Sequence, residues 1–228
     1  MRLLPRAEIV APDAIVAGRV VPGESVGGGF YNLFRLGAGR TGVMIADVSS
    51  HGYRAALIMA QAMSATAIHA QTSNDPGEVL NALLASLTEE LESTEMFISA
   101  FYGVIDREKG TLRYANTGHP HAYIITTEGT MKRLAALDPP LGMVDEPPAA
   151  RTVRWTRNND LLVLFTDGVS DARDRRDTRL GEQRIIEVIV EHRKEEPNAI
   201  LERVLATVEE HTAGAVRRDD LTMVLVRS

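Results

Sequence analysis

Cysteine is absent from all 228 residues, which excludes disulfides, thiolate metal ligation and a cysteine nucleophile. The absence also fits a reducing compartment. No apolar run approaches the length of a transmembrane helix, and Met1-Arg2-Leu3-Leu4-Pro5 lacks a signal-peptide core. We therefore expect a cytoplasmic protein without membrane contact. Positive charge is not in excess: the net charge is -6, so nucleic-acid binding has no electrostatic support. No histidine pair has zinc-ligand spacing, and no Ser-His-Asp arrangement stands out. There is no internal repeat and no low-complexity segment. What is present is an ordinary globular mixture, 44% hydrophobic and 25% charged, long enough to bury a core.

Hydrophobic patterning divides the chain into alternating strand and helix regions. Strands are expected at 14–21, 30–36 and up to Asp47, joined by Gly-rich turns as an antiparallel meander. Residues 55–70 form a helix that is apolar nearly all round, the mark of burial between layers or in a subunit contact. Asp75-Pro76-Gly77-Glu78 reads as N-cap, first-turn proline and capping-box glutamate, opening a helix to about Glu92. Strands resume at 98–106, 111–116, 123–127, 153–155 and 161–165. The segment from Asp171 to Asp177 is a charged surface loop. Helices near 183–193 and 197–210 precede a last strand. No linker separates the halves. The pattern predicts one α+β domain over 1–228: two antiparallel sheets packed together, with a helix pair outside each.

Three aspartates sit at strand ends: Asp47 in Ala46-Asp47-Val48-Ser49-Ser50-His51-Gly52, Asp167 in Phe165-Thr166-Asp167-Gly168, and Asp219 in Asp219-Asp220-Leu221-Thr222. The first two close strands and the third opens one, so in an antiparallel sheet all three can meet at one edge. Taken singly, Asp-Gly and Asp-Asp also mark turns. Gathered carboxylates repel, and a hard divalent cation relieves the conflict; oxygen ligands suit Mg²⁺ or Mn²⁺.

These motifs, with Thr117-Gly118-His119-Pro120, Pro139-Pro140-Leu141-Gly142 and Leu3-Leu4-Pro5, resemble the bacterial stress-response and sporulation branch of the type-2C-like (PPM) serine/threonine phosphatases. The resemblance runs along nearly the whole chain, in order. It implies a β-sandwich flanked by helix pairs. It also implies hydrolysis of phosphoserine or phosphothreonine on a regulatory protein, such as a STAS-type anti-sigma-factor antagonist. Two Mn²⁺ or Mg²⁺ ions are implied. Asp47 would bridge them, the Val48 carbonyl would bind the second, and Asp167 and Asp219 would hold the first. An activating protein or a second copy would pack on the helices between residues 55 and 92.

One departure stands out. The family pattern Gly-Gly-Asp-Phe-Tyr-Asp is here Gly27-Gly28-Gly29-Phe30-Tyr31-Asn32. Either waters replace the lost carboxylates, or the second metal binds weakly and the chain is a catalytically impaired binding module in a signalling pathway. His51 is positioned to protonate a leaving alkoxide, but a structural hydrogen-bonding part is favoured for both His51 and His119. Asp220 is read as a turn or supporting residue. Gly52 and Gly168 are read as serving backbone conformation, Trp155 as core, and Arg217-Arg218 as solvated.

Overall fold

The computed structural model describes residues 7–11, 13–23, 28–37, 39–216 and 219–228. The Leu3-Leu4-Pro5 motif, Arg217-Arg218, Gly27 and Glu24 lie outside the described residues. The strands are β1 (Ile15–Val21), β2 (Phe30–Arg35), β3 (Arg40–Val48), β4 (Ile98–Asp106), β5 (Thr111–Thr117), β6 (His121–Thr126), β7 (Met131–Arg133), β8 (Arg151–Arg154), β9 (Asp160–Phe165) and β10 (Leu221–Arg227). The α-helices are α1 (Tyr53–His69), α2 (Pro76–Thr94), α3 (Asp167–Ser170), α4 (Glu182–His192) and α5 (Pro197–Thr212).

Strand periodicity builds three apolar layers. One sheet has the order β1-β10-β9-β6-β7, the other β2-β3-β4-β5-β8, and every pairing is antiparallel. Successive side chains on a strand point to opposite faces. On β9, Leu162 and Leu164 enter the layer between the sheets, while Leu161, Val163 and Phe165 pack under α4 and α5. On β3, Val43 and Ile45 face the inter-sheet layer, and Met44, Ala46 and Val48 pack under α1 and α2. The expected α+β sandwich with a helix pair on each outer face is therefore the observed fold.

The meander does not hold. β2 and β3 form a hairpin, but β1 crosses to the other sheet and pairs with β10, Ile15 opposite Arg227 and Val21 opposite Leu221. β10 is apolar on both faces, and without β1 its backbone ladder would be an open edge. β7 and α3 were not expected. They have three and four residues, too few to show a period.

The α2 start behaves largely as its sequence suggests. Asp75 Oδ1 accepts from Gly77 N at 2.8 Å, with Pro76 in the first turn. The capping box is relayed: Glu78 accepts from Ser73 Oγ at 2.5 Å, and that hydroxyl accepts the Asp75 N–H at 3.0 Å. Helix α1 is not buried all round. Ala55, Ile58, Ala62 and Met63 face the core, while Tyr53, Leu57 and Ile68 are exposed. No helix among the described residues is long and apolar enough to cross a membrane.

Leu164 is fully buried between the sheets. Leu164→Ala should cost about 2–5 kcal/mol through lost burial and a residual cavity. In urea unfolding the midpoint should fall with little change in slope. Tyr53→Ala, on the exposed face of α1, should stay within about 0.5 kcal/mol of the parent protein.

Candidate active site

Alternation along β3 sets the first carboxylate. Asp47 shares a face with Val43 and Ile45, so it points between the sheets where they part. The other carboxylates come from the opposing sheet. Thr166 N donates to Thr222 O at 3.0 Å, Thr222 N donates to Thr166 Oγ1 at 3.2 Å, and Thr166 Oγ1 lies 3.3 Å from Asp220 O. These contacts hold the end of β9 beside the start of β10, with Asp167 next to Asp219 and Asp220. The expectation of a single sheet edge is thus corrected. Asp167 and Asp219 share an edge, but Asp47 reaches them across the sandwich because the chain places β3 in the second sheet.

All of these carboxylates line one cavity of about 420 Å³, together with Val48, Ser49, Ser50, His51, Phe97, Pro120 and Pro140. No lysine or arginine is among its described lining residues. Burial pushes the Asp47 carboxyl up to about 7, with Asp167, Asp220 and Asp219 adding repulsion and the Val48 N–H opposing it. Asp167 is raised by burial, then by Asp171 and Asp219, while His121 and the Gly168 N–H pull it down. Asp220 is raised chiefly by burial, despite accepting the Gly23 N–H at 2.9 Å. That hydrogen bond gives Asp220 the tethering part expected of it, although it also lines the cavity.

The donor set suits a hard cation: carboxylates, plus the Val48 carbonyl, which accepts Ser50 N–H at 2.7 Å and keeps a second lone pair. Among the described residues no three acidic or histidine side chains stand close enough to form a ready-made ion cage. They share a cavity whose mutual repulsion a bound cation would relieve.

The two departures from the family pattern behave differently. A Cβ on Gly29 would lie 2.8 Å from Thr222 Oγ1 and 3.5 Å from Asp47 Oδ1, so this position opens onto the cluster. Thr222 Oγ1 is buried with no hydrogen-bond partner. Asn32 is not part of the cavity lining; its Oδ1 accepts its neighbour Leu33 N at 2.9 Å. A place beside the Asp47 carboxylate therefore fits Gly29 and not Asn32.

The histidines also part. His119 is buried, its loop held by Asn116 Nδ2 to His119 O at 3.0 Å and His119 N to Asn116 Oδ1 at 2.8 Å. Burial, with neighbouring His121, drives its imidazole down to about 3, so it is neutral, and the hydrogen bonds that hold this loop are those of its backbone rather than its ring. His51 is exposed and lines the cavity, which the structural reading did not anticipate. Gly52 has φ 92° and needs its missing side chain for that reason. Gly168 does not adopt positive φ; its Cβ would fall 2.1 Å from Asp220 O, so close backbone approach is the constraint. Trp155 is core, as expected.

Sequence reasoning missed Asp171 and His121. Asp171 was placed in a surface loop, yet its charge acts on Asp167, and it pairs with Arg179 at 3.2 Å. His121 is distant in sequence from both its partners, so no local motif marks it.

The layered fold with carboxylates at its open end is that of a PP2C-type phosphatase domain. The SiaA-PP2C domain of Pseudomonas aeruginosa superposes with a TM-score of 0.85 at 22% identity, covering 99% of this chain and 91% of that one. The family model of Stage II sporulation protein E (SpoIIE) matches residues 37–228, and the chain belongs to that family. Protein IcfG of Synechocystis is 30% identical over 90% of this chain and 36% of its own length. Phosphoserine phosphatase RsbP of Bacillus subtilis is 26% identical over 89% of this chain and 49% of its own length. The chain thus spans half or less of these relatives. Solved structures of the same fold include complexes with magnesium and with manganese.

The raised carboxyls make a signed prediction for protein in chelator. An unfolded Asp has a pKa of about 3.9, and folded Asp47 sits near 7. Between those values the folded state binds more protons, so stability falls as pH rises from about 4 to about 7. Asp47→Asn should flatten this slope and melt higher than the parent at pH 8. Parallel melting curves for the two proteins would contradict the placement of Asp47 in the repulsive cluster.

Proposed function

We propose that this chain is a metal-dependent protein phosphatase that removes phosphate from phosphoserine or phosphothreonine on a regulatory protein. The observation that carries this is the shared cavity of Asp47, Asp167 and Asp219 in a SpoIIE-family chain. In this reading Asp47 would serve both of two Mn²⁺ or Mg²⁺ ions, the Val48 carbonyl would help hold the second, and Asp167 and Asp219 would hold the first. Bound there, the ions would supply positive charge against the phosphoryl oxygens and acidify water.

The protein's own groups do the rest. The carboxylates hold the cations and, being short of basic neighbours, leave phosphate recognition to them. Phe97, Pro120 and Pro140 add apolar surface to the cavity lining. His51, exposed on the lining, is the group available to give a proton to a departing alkoxide. No side-chain nucleophile is required, which suits a chain without cysteine.

The alternative, a catalytically impaired binding module, loses part of its support because Asn32 lies off the cavity. We further read 1–228 as one phosphatase domain in the cytoplasm, acting on a STAS-type anti-sigma-factor antagonist. The phosphoserine phosphatase name of the Bacillus relative favours phosphoserine as the group acted on. An activating protein or second copy would bear on α1 and α2. Exposed Tyr53, Leu57 and Ile68 on α1, and a groove between the two helices lined by Leu57 and Ile58, support that surface.

Phosphate release from a serine-phosphorylated STAS-domain protein should require Mn²⁺ or Mg²⁺ and stop in chelator. Asp47→Asn and Asp167→Asn should each lower it at least about a hundredfold, through loss of charge on the cation, with circular dichroism unchanged. Activity that survives chelation would sink the reading. Gly29→Asp should add a carboxylate facing Asp47, while Thr222 must shift to admit its Cβ. Its melting temperature should fall in chelator and recover with Mn²⁺, and half-maximal activity should need less Mn²⁺ than in the parent. Unchanged Mn²⁺ dependence in a folded variant would show that position 29 has no bearing on the site.

A further inference from the structure

His121 lies on β6 directly opposite Phe165, the last residue of β9. Its ring stacks on the Phe165 ring with centroids 4.4 Å apart and planes 9° from parallel. Both ring nitrogens are engaged. Nδ1 is 3.1 Å from Glu182 Oε1, and Nε2 is 3.1 Å from Ser170 Oγ. Glu182 is the first residue of α4 and has Arg133 3.9 Å away. Ser170 Oγ in turn lies 3.2 Å from the backbone oxygen of Asp167.

This carboxylate–imidazole–hydroxyl order is that of a hydrolytic triad, but Ser170 is 4% exposed and does not line the cavity. No acyl or phosphoryl group can reach it, so a nucleophilic part is excluded. The arrangement has a different target. Helix α3 is four residues long and its N-cap, Thr166, makes no side-chain capping bond. One turn cannot hold itself, since a single helical hydrogen bond does not offset the cost of fixing its residues. Its orientation must come from outside. One flank rests on the Asp220 backbone through Gly168. The other is Ser170, whose one hydroxyl proton goes either to the Asp167 carbonyl or to the imidazole Nε2, according to which ring nitrogen carries the imidazole proton.

We propose that His121 is a positioning residue: through Ser170 it fixes the turn that begins at Asp167, and so sets where that carboxylate meets a metal ion. The inference rests on the reading of Asp167 as a metal ligand. Stacking on Phe165 locks the ring, and Glu182, seated between His121 and Arg133, prevents it from turning. The site is thereby tied to the start of α4, on the outer face of the sheet.

The test uses the full chain, with MnCl₂ titrated by calorimetry and p-nitrophenyl phosphate hydrolysis followed against Mn²⁺ concentration. His121→Phe keeps the stack and removes both hydrogen bonds; Ser170→Ala removes the link alone. Each should weaken Mn²⁺ binding about tenfold, the scale of losing a supporting contact to a metal ligand. KM at saturating Mn²⁺ should hold, and Ser170→Thr should restore the affinity. A merely structural role would lower the melting temperature in chelator and leave Mn²⁺ affinity alone. That outcome overturns the inference, as does Ser170→Thr behaving like Ser170→Ala. If His121→Phe does not fold, the serine pair decides. If the parent protein binds no Mn²⁺, the phosphatase reading itself fails and takes this inference with it.

Discussion

Like charge held at the open end of a two-sheet sandwich is the constraint on which this molecule turns. Burial and mutual repulsion lift the carboxyls of Asp47, Asp167 and Asp220 together. A protein tolerates such a cluster only if the scaffold around it is firm. Here the scaffold is the inter-sheet layer of Val43, Ile45, Leu162, Leu164 and Val224, which fixes both sheets against each other just below the charges. The hydrophobic term that holds the sheets is non-directional. The Thr166–Thr222 hydrogen bonds supply the direction, setting Asp167 against the start of β10.

Glycine is the second half of that arrangement. At Gly168 the backbone passes too close to Asp220 O for any side chain, and at Gly29 a Cβ would face Asp47 while pressing on Thr222 Oγ1. The first brings carboxylates together. The second stands where the family pattern has a carboxylate. Geometry and charge therefore point the same way: a cluster of carboxylates without basic neighbours in its cavity suits a cation.

Much of this was legible in the residues, and the exceptions have physical causes. Apolar runs bounded by turn residues marked nearly every strand, because most of them are buried on both faces. Helix α2 declared itself through Asp75 and Pro76. The three aspartates were found because each adjoins a strand end. Three features escaped. The sheet assignment of β1 depends on which distant edge needs covering, which no local pattern reports. The convergence of Asp47 on Asp167 is a contact between sheets, where the sequence suggested one edge. His121 found its partners on α3 and α4, far away in the chain, and a lone histidine in a strand carries no period of its own. The apolar surface of α1 predicts burial between layers or in a subunit contact; its exposed Tyr53, Leu57 and Ile68 exclude the first for that side and leave the second open.

The chain's single tryptophan has a consequence of another kind. Trp155 is buried, and its Nε1 donates to Ser228 Oγ at 2.8 Å, just beyond the far end of the strand that Asp219 precedes. A seven-residue strand is about 23 Å long. The indole therefore sits in a different neighbourhood from the carboxylates. Its emission records whether the closed end of the sandwich is intact, and is indifferent to ions arriving at the open end. Intrinsic fluorescence thus offers an internal gauge of integrity for this protein, one that separates damage to the scaffold from events at the carboxylates without any label.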